Sequence, residues 1–128
     1  MFAKSMASYL ESSGYGTIDK DIFINLFPSR TDINDAICVY DTQSFSVRGR
    51  ARNSVNFNCQ IRIRNSKTEI ASDVAQNIYR NLEDNGYIFD SNGKRFTIKP
   101  MNPPNFLMFD DSNRANWVLN VTGLALNY

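Results

Sequence analysis

The side chains able to do chemistry in this 128-residue chain are few, and the most informative fact about them is that there is no histidine. Without one, the Ser-His and Cys-His pairs that activate a nucleophile cannot form, and the commonest general base near neutral pH is missing. Two cysteines, Cys38 and Cys59, cannot by themselves supply the three or four nitrogen and sulfur ligands of a zinc site. No glycine-rich loop has Walker or dinucleotide-binding spacing. Asp110-Asp111 and Glu83-Asp84 are paired acids of the kind a carboxylate-based hydrolase uses. Both pairs adjoin turn residues, however, where Asp is favoured because it hydrogen-bonds nearby backbone. The expectation is a protein with no catalytic residue, no metal and no cofactor.

What remains is binding chemistry. Arg48-Gly49-Arg50-Ala51-Arg52 is the densest basic cluster, and Arg62 and Arg64 follow on the polar side of the next strand-like run. Such a set can meet phosphates or an acidic protein surface. It can equally be a solvated loop beside a solvated strand face, which is what charge runs usually are. Contact with DNA would be independent of sequence, since no motif for reading base edges is present. A net charge of +1 and the lack of a stacking-aromatic platform weigh against a dedicated nucleic-acid module. The other candidate is the segment from Asp110 to Trp117. Arg114 can pair with Asp110 or Asp111 and pin the turn, or the segment is a plain hairpin loop with Trp117 as a core aromatic.

The elements that must position these groups are legible from periodicity. Phe2, Met6, Tyr9 and Leu10 fall on one helical face, and Gly14 is placed to end that helix in a left-handed cap. Residues 21–27 read as a strand stopped by Pro28, and Ala36-Ile37-Cys38-Val39-Tyr40 as a second strand buried on both faces. Residues 41–53 are polar and loop-like. Between Val55 and Arg64 every odd position is apolar and every even one polar, which demands a strand with one dry and one wet face. Ser66-Lys67-Thr68-Glu69 has the spacing of a capping box. The helix it opens carries Ile70, Ala71, Val74, Ala75, Ile78, Tyr79 and Leu82 as an apolar stripe and ends at Asp84-Asn85-Gly86. A hairpin over 87–99 follows, then the prolines of 100–104, then a last strand pair near 106–109 and 117–127. The final strand, apolar on both faces, is either central or an edge that pairs with a neighbouring subunit.

This order predicts an α+β fold in one domain spanning 1–128, with two helices packed on one face of a mixed, mostly antiparallel sheet. A chain of this length buries roughly two-thirds of the surface it exposes when unfolded, enough for one core. No apolar run is long enough to span a bilayer and the first residues lack a signal-peptide core, so the expectation is synthesis in a cytoplasm with no membrane partner. The two cysteines, set in apolar strand-like runs, read as buried reduced thiols.

Several of these segments, in their order, carry a likeness. Tyr9-Leu10 with Gly14 to Gly16 and Asp21-Ile22-Phe23 come first, followed by Ala36-Ile37-Cys38-Val39-Tyr40-Asp41-Thr42. The Phe57-to-Arg64 strand then feeds Ala75-Gln76-Asn77-Ile78-Tyr79, and Pro103-Pro104 leads to Asp111-Ser112-Asn113-Arg114 and Trp117. Over nearly its whole length the chain resembles the siphophage minor capsid proteins that are similar to phage tail-terminator, or tail-completion, proteins. It departs from that pattern at Ser46 to Arg52. The resemblance implies a virion structural protein of the neck, at the head-tail junction, assembled in the host cytoplasm. It implies a ring, typically of six copies, that caps the tail tube and meets the tail-tube protein and the head-completion or connector proteins. It also implies that phage DNA passes through the lumen without its sequence being read. A head-closure or minor capsid role in the same neck is the alternative. In a ring, Arg48, Arg50 and Arg52 have a plausible head-to-tail counterpart in a neighbour's Asp110 and Asp111.

Overall fold

The computed structural model describes residues 2–28, 33–42, 45–47 and 54–125. Along the chain these form α1 (Phe2–Ser12), β1 (Ile22–Ile24), β2 (Ala36–Asp41), β3 (Phe45–Val47), β4 (Ser54–Asn65), α2 (Thr68–Asn85), β5 (Tyr87–Phe89), β6 (Arg95–Pro100), β7 (Asn105–Phe109) and β8 (Ala115–Ala125). The alternating run becomes β4, and it pairs antiparallel with β8 from Val55 opposite Ala125 to Asn65 opposite Ala115. These two long strands are the middle of one sheet of order β1-β2-β4-β8-β6-β5, with β3 also on β4 and β7 also on β8. Among these strands only β1 with β2 is parallel; the other strand pairings are antiparallel. The fold is α+β with a mixed, mostly antiparallel sheet, as the periodicity predicted.

Both helices pack on one face of that sheet. Cys59, Ile61 and Ile63 of β4 join Ile37 and Val39 of β2 and Leu119 and Val121 of β8 in a single core cluster. Onto it α1 lays Phe2, Ala3, Met6, Ala7 and Leu10, and α2 lays Ala71, Ala75, Ile78 and Leu82. Each large apolar side chain so buried contributes about 1.5–3 kcal/mol, which is what holds α1, whose 11 residues are too few to persist alone. Phe2 marks how close this packing is. Its ring lies 5.4 Å from that of Phe96 and 6.1 Å from that of Phe57, and it sits directly over Gly123 of β8. A β-carbon there would come within 2.6 Å of the ring. A glycine inside a strand weakens it, and here close approach of an aromatic is the reason it stands.

Several expectations are sharpened or corrected. The first strand is Ile22–Ile24 and not 21–27, because Asn25 takes a left-handed backbone with φ of 60°; its side chain instead accepts the Asp41 backbone N–H at 2.8 Å. Within the loop-like 41–53 segment, β3 pairs with β4. The capping box does not form: α2 begins after Lys67 with no side-chain cap. The Lys67 N–H is taken by Asn65 Oδ1 at 2.8 Å, one residue before the expected cap. At the other end Gly86, φ 78°, closes the helix as expected. Ile70, expected in the buried stripe, is 44% exposed. The last strand is central, with β4 on one side and β6 and β7 on the other, so it is not the bare edge. Residues 126–128 lie outside the described ones. Cys38 and Cys59 are free and buried, on opposite faces of the sheet, and burial raises both thiols above their ordinary range. Among the described residues no helix is long and apolar enough to cross a membrane.

Candidate interaction surface

On the sheet face away from the helices, β4 presents Gln60, Arg62 and Arg64, and β8 presents Asn116 and Asn120. At the end where β8 begins, this face carries a recess of about 220 Å³. It is lined by Arg62, Arg64, Asp110, Asp111 and Arg114, together with Phe27 and Met108. All the candidate residues that fall within the described chain therefore converge on one place. Arg48, Arg50 and Arg52 lie outside the described residues.

The members of the cluster are not equivalent. Arg64, expected on a wet strand face, is only 3% exposed. Its Nη1 donates to the Pro28 carbonyl at 2.6 Å, its Nη2 to the Ile33 carbonyl at 2.9 Å, and its guanidinium stacks 4.1 Å from the Phe27 ring centroid. Burial, then the charge of Arg114, lower its pKa; an arginine stays charged regardless. Arg114, 4% exposed, donates from Nε to Asp110 Oδ2 at 2.8 Å and from Nη1 to the same Ile33 carbonyl at 3.0 Å. These two guanidiniums tie the segment before β2 to the β7–β8 turn. Arg114 thus pins the turn as its spacing allowed, through Asp110 and not Asp111.

Asp110 organises that turn. Its Oδ1 accepts the backbone N–H groups of Ser112 at 3.0 Å and Arg114 at 2.9 Å, and Asn113 completes the turn with φ of 58°. Burial alone would raise the Asp110 carboxyl. The backbone donors and the Arg114 guanidinium outweigh it and hold the carboxyl below its usual range. Asp111 is exposed. Arg62 is half-buried; its Nη2 donates to Gln60 Oε1 at 3.3 Å and its guanidinium lies 5.3 Å from the Tyr40 ring. The Nε atoms of Arg62 and Arg64 are buried without a hydrogen-bond partner among the described residues. Among the described residues, then, Asp111 and part of Arg62 reach outward, while Arg64, Arg114 and Asp110 are used in holding the fold.

Beside this recess lies a feature that sequence reasoning missed. All five residues of β7 are exposed, including Phe106 (43%), Leu107 (42%), Met108 (45%) and Phe109 (54%). Phe106 packs 5.1 Å from Phe109 and 5.9 Å from Trp117, so the strand is ordered while its apolar side chains face out. On the same flank of β8, Tyr87 and Phe89 of β5 are 44% and 54% exposed, with rings 5.5 Å apart. The signal for β7 was its flanks, prolines before and two aspartates after, the kind of residues that guard an apolar strand against uncontrolled pairing. Among the described residues no group of three or more His, Cys, Asp and Glu could hold a metal ion.

A family model described as bacteriophage tail terminator protein matches residues 9–124. No curated protein matches the chain.

Proposed function

The chain belongs to the bacteriophage tail terminator family, whose members are virion structural proteins, and on that premise we propose that it caps the tail tube as a ring of copies. In this reading the ring, hexameric in the form the resemblance implies, stops tube growth, joins the tube to the head-completion proteins at the neck, and lets DNA pass through its lumen. The observation that carries the reading is the extent of the match, which runs from the middle of α1 nearly to the end of β8.

Two structural features support it. A ring built head to tail needs two different complementary surfaces on each copy, and the chain exposes apolar side chains on both β5 and β7. The chemistry-bearing side chains at the recess are engaged in holding loops together, which suits a structural part. For contacts with a neighbour or with DNA phosphates, Asp111 and Arg62 are the described candidates, and Arg48, Arg50 and Arg52 remain candidates from sequence.

The test is a polymerisation assay with the tail-tube protein, followed by negative-stain imaging. Added chain is expected to halt tube growth and to appear as a ring at one end. Tubes whose lengths and ends are unchanged by saturating protein would remove this reading.

A further inference from the structure

We propose that two outward-facing apolar patches of this chain meet in neighbouring copies, β7 of one copy packing on the β5–β6 hairpin face of the next. The proposal rests on the reading above that copies associate head to tail, and it names the surfaces that do so.

Single exposed hydrophobic residues need no explanation, but a consecutive run on an ordered strand does. Phe106, Leu107, Met108 and Phe109 are each between 42% and 54% exposed. They sit on a strand that, among the described residues, pairs on one side, with β8. Both of its ends are fixed, by buried Pro104 before it and by the Asp110–Arg114 turn after it. A patch held this rigidly in the free chain gives up little conformational freedom on contact, which favours its use as a docking surface.

The second patch is built by register. Tyr87 lies opposite Thr97 and Phe89 opposite Arg95, so both aromatic rings and the Arg95 side chain share one face. The Arg95 guanidinium lies 5.2 Å from the Tyr87 ring, and Lys99, exposed, follows on the same face of β6. Asp90, the nearest acid in sequence, turns its Oδ1 inward to the N–H groups of Asn92 and Lys94.

Charge selects a second copy as the occupant. At β7 the guanidiniums of Arg64 and Arg114 are withdrawn, at 3% and 4% exposure, and Arg62 is half-buried over Tyr40. The group that reaches solvent at the end of the strand is the Asp111 carboxylate. At the hairpin the groups that reach solvent are Arg95 and Lys99. Apolar surface with an acidic end thus faces apolar surface with a basic rim, and both are carried by one chain. The surfaces that meet are the exposed side chains of β7 and of the β5–β6 hairpin. Because the two patches are different surfaces, a contact made once leaves one of each free and the assembly propagates or closes into a ring, whereas a reciprocal contact between two copies would stop at a dimer, which native mass spectrometry distinguishes.

The full-length chain tests this by sedimentation velocity and native mass spectrometry over a concentration series, alone and with tail tubes. Leu107→Glu and Phe89→Glu are each expected to raise the midpoint of self-association by about tenfold or more, as loss of a central apolar anchor does. Asp111→Arg and Arg95→Asp should each weaken it, and the two together should restore it in part. In mixed preparations, Leu107→Cys and Phe89→Cys should crosslink to each other through a short bis-maleimide, Cys38 and Cys59 being buried. Unchanged circular dichroism confirms that each variant folds. Wild-type assemblies that survive Leu107→Glu and Phe89→Glu, or crosslinks that join Leu107→Cys only to itself, overturn this contact and leave the ring reading standing. A wild-type chain that neither associates nor adds to tail tubes overturns both.

Discussion

Arg64 and Arg114 both donate to the carbonyl oxygen of Ile33, at 2.9 and 3.0 Å, from strands β4 and the turn before β8. Two cations share one acceptor because each has a further anchor: Pro28 and the Phe27 ring for Arg64, Asp110 for Arg114. The carbonyl belongs to a segment with no regular structure, so these contacts are what position the entry to β2. Removing Arg64 leaves the half-buried Pro28 carbonyl without this donor and removing Arg114 leaves the Asp110 carboxylate without its guanidinium, and hydrogen bonds to charged groups contribute about 1.5–3 kcal/mol each. Arg64→Ala and Arg114→Ala should each lower stability by about 2–3 kcal/mol in urea unfolding. The pair should lose more than the sum of the singles, since either arginine still meets the shared carbonyl when the other is gone and only the double variant leaves it bare. Lysine at position 64 should not rescue, as it cannot hold two carbonyls while stacking flat on a ring.

Asp110 gives the same clamp a pH dependence of known sign. Its carboxyl is held below the usual range in the folded chain. A group with a depressed folded pKa contributes stability that is present above its unfolded pKa, about 3.9, and is lost as pH falls through the lower folded value. The chain should therefore lose stability on acidification below about pH 4. Asp110→Asn should be less stable than wild type at pH 7, and its melting temperature should fall less between pH 5 and pH 3. A wild-type profile no steeper than that of Asp110→Asn would remove this assignment.

Gly123 sets the seat of α1. The Phe2 ring occupies the space a β-carbon would take, at 2.6 Å. Gly123→Ala should cost about 1–3 kcal/mol through overpacking. Phe2→Leu, smaller and still apolar, should recover part of that loss in the double variant although it destabilises the wild type. Thermal melts of the four proteins of this cycle decide it.

How much of this was legible beforehand follows from which interactions are local. The alternation of Val55 to Arg64 and the stripe from Ala71 to Leu82 are periodic, so β4, α2 and the face they share could be read directly. The residues of the recess were named from their types, but their roles were not legible. Arg64 became buried because Pro28 and Ile33, about thirty residues away in sequence, supply its acceptors, and no local pattern encodes that. The exposure of β7 was hidden for the converse reason. Phe106 to Phe109 read as a strand and no more, and only the sheet order shows that nothing in the described chain covers them. Arg95 and the Tyr87 and Phe89 rings share a face only through hairpin register, which no local pattern in the sequence encodes.

The start of α2 separates a motif from its geometry. Ser66 and Glu69 have the spacing of a capping box, yet it is Asn65, the last residue of β4, whose Oδ1 accepts the Lys67 N–H at 2.8 Å. Its Nδ2 also donates to Asp35, which borders β2. Asn65 thus ends a strand, leads into a helix and ties both to the neighbouring strand, and with α2 starting at Thr68 after Lys67, Ser66 stands one step too early to cap. Loss of such a side-chain to backbone bond costs about 0.5–2 kcal/mol. Asn65→Ala should therefore destabilise the chain by about 1–2 kcal/mol in denaturant unfolding, with Asp35→Asn recovering nothing in that background. Ser66→Ala, at an exposed position, should change stability by no more than about 0.5 kcal/mol. A larger loss at Ser66 than at Asn65 would restore the capping box and discard the assignment to Asn65.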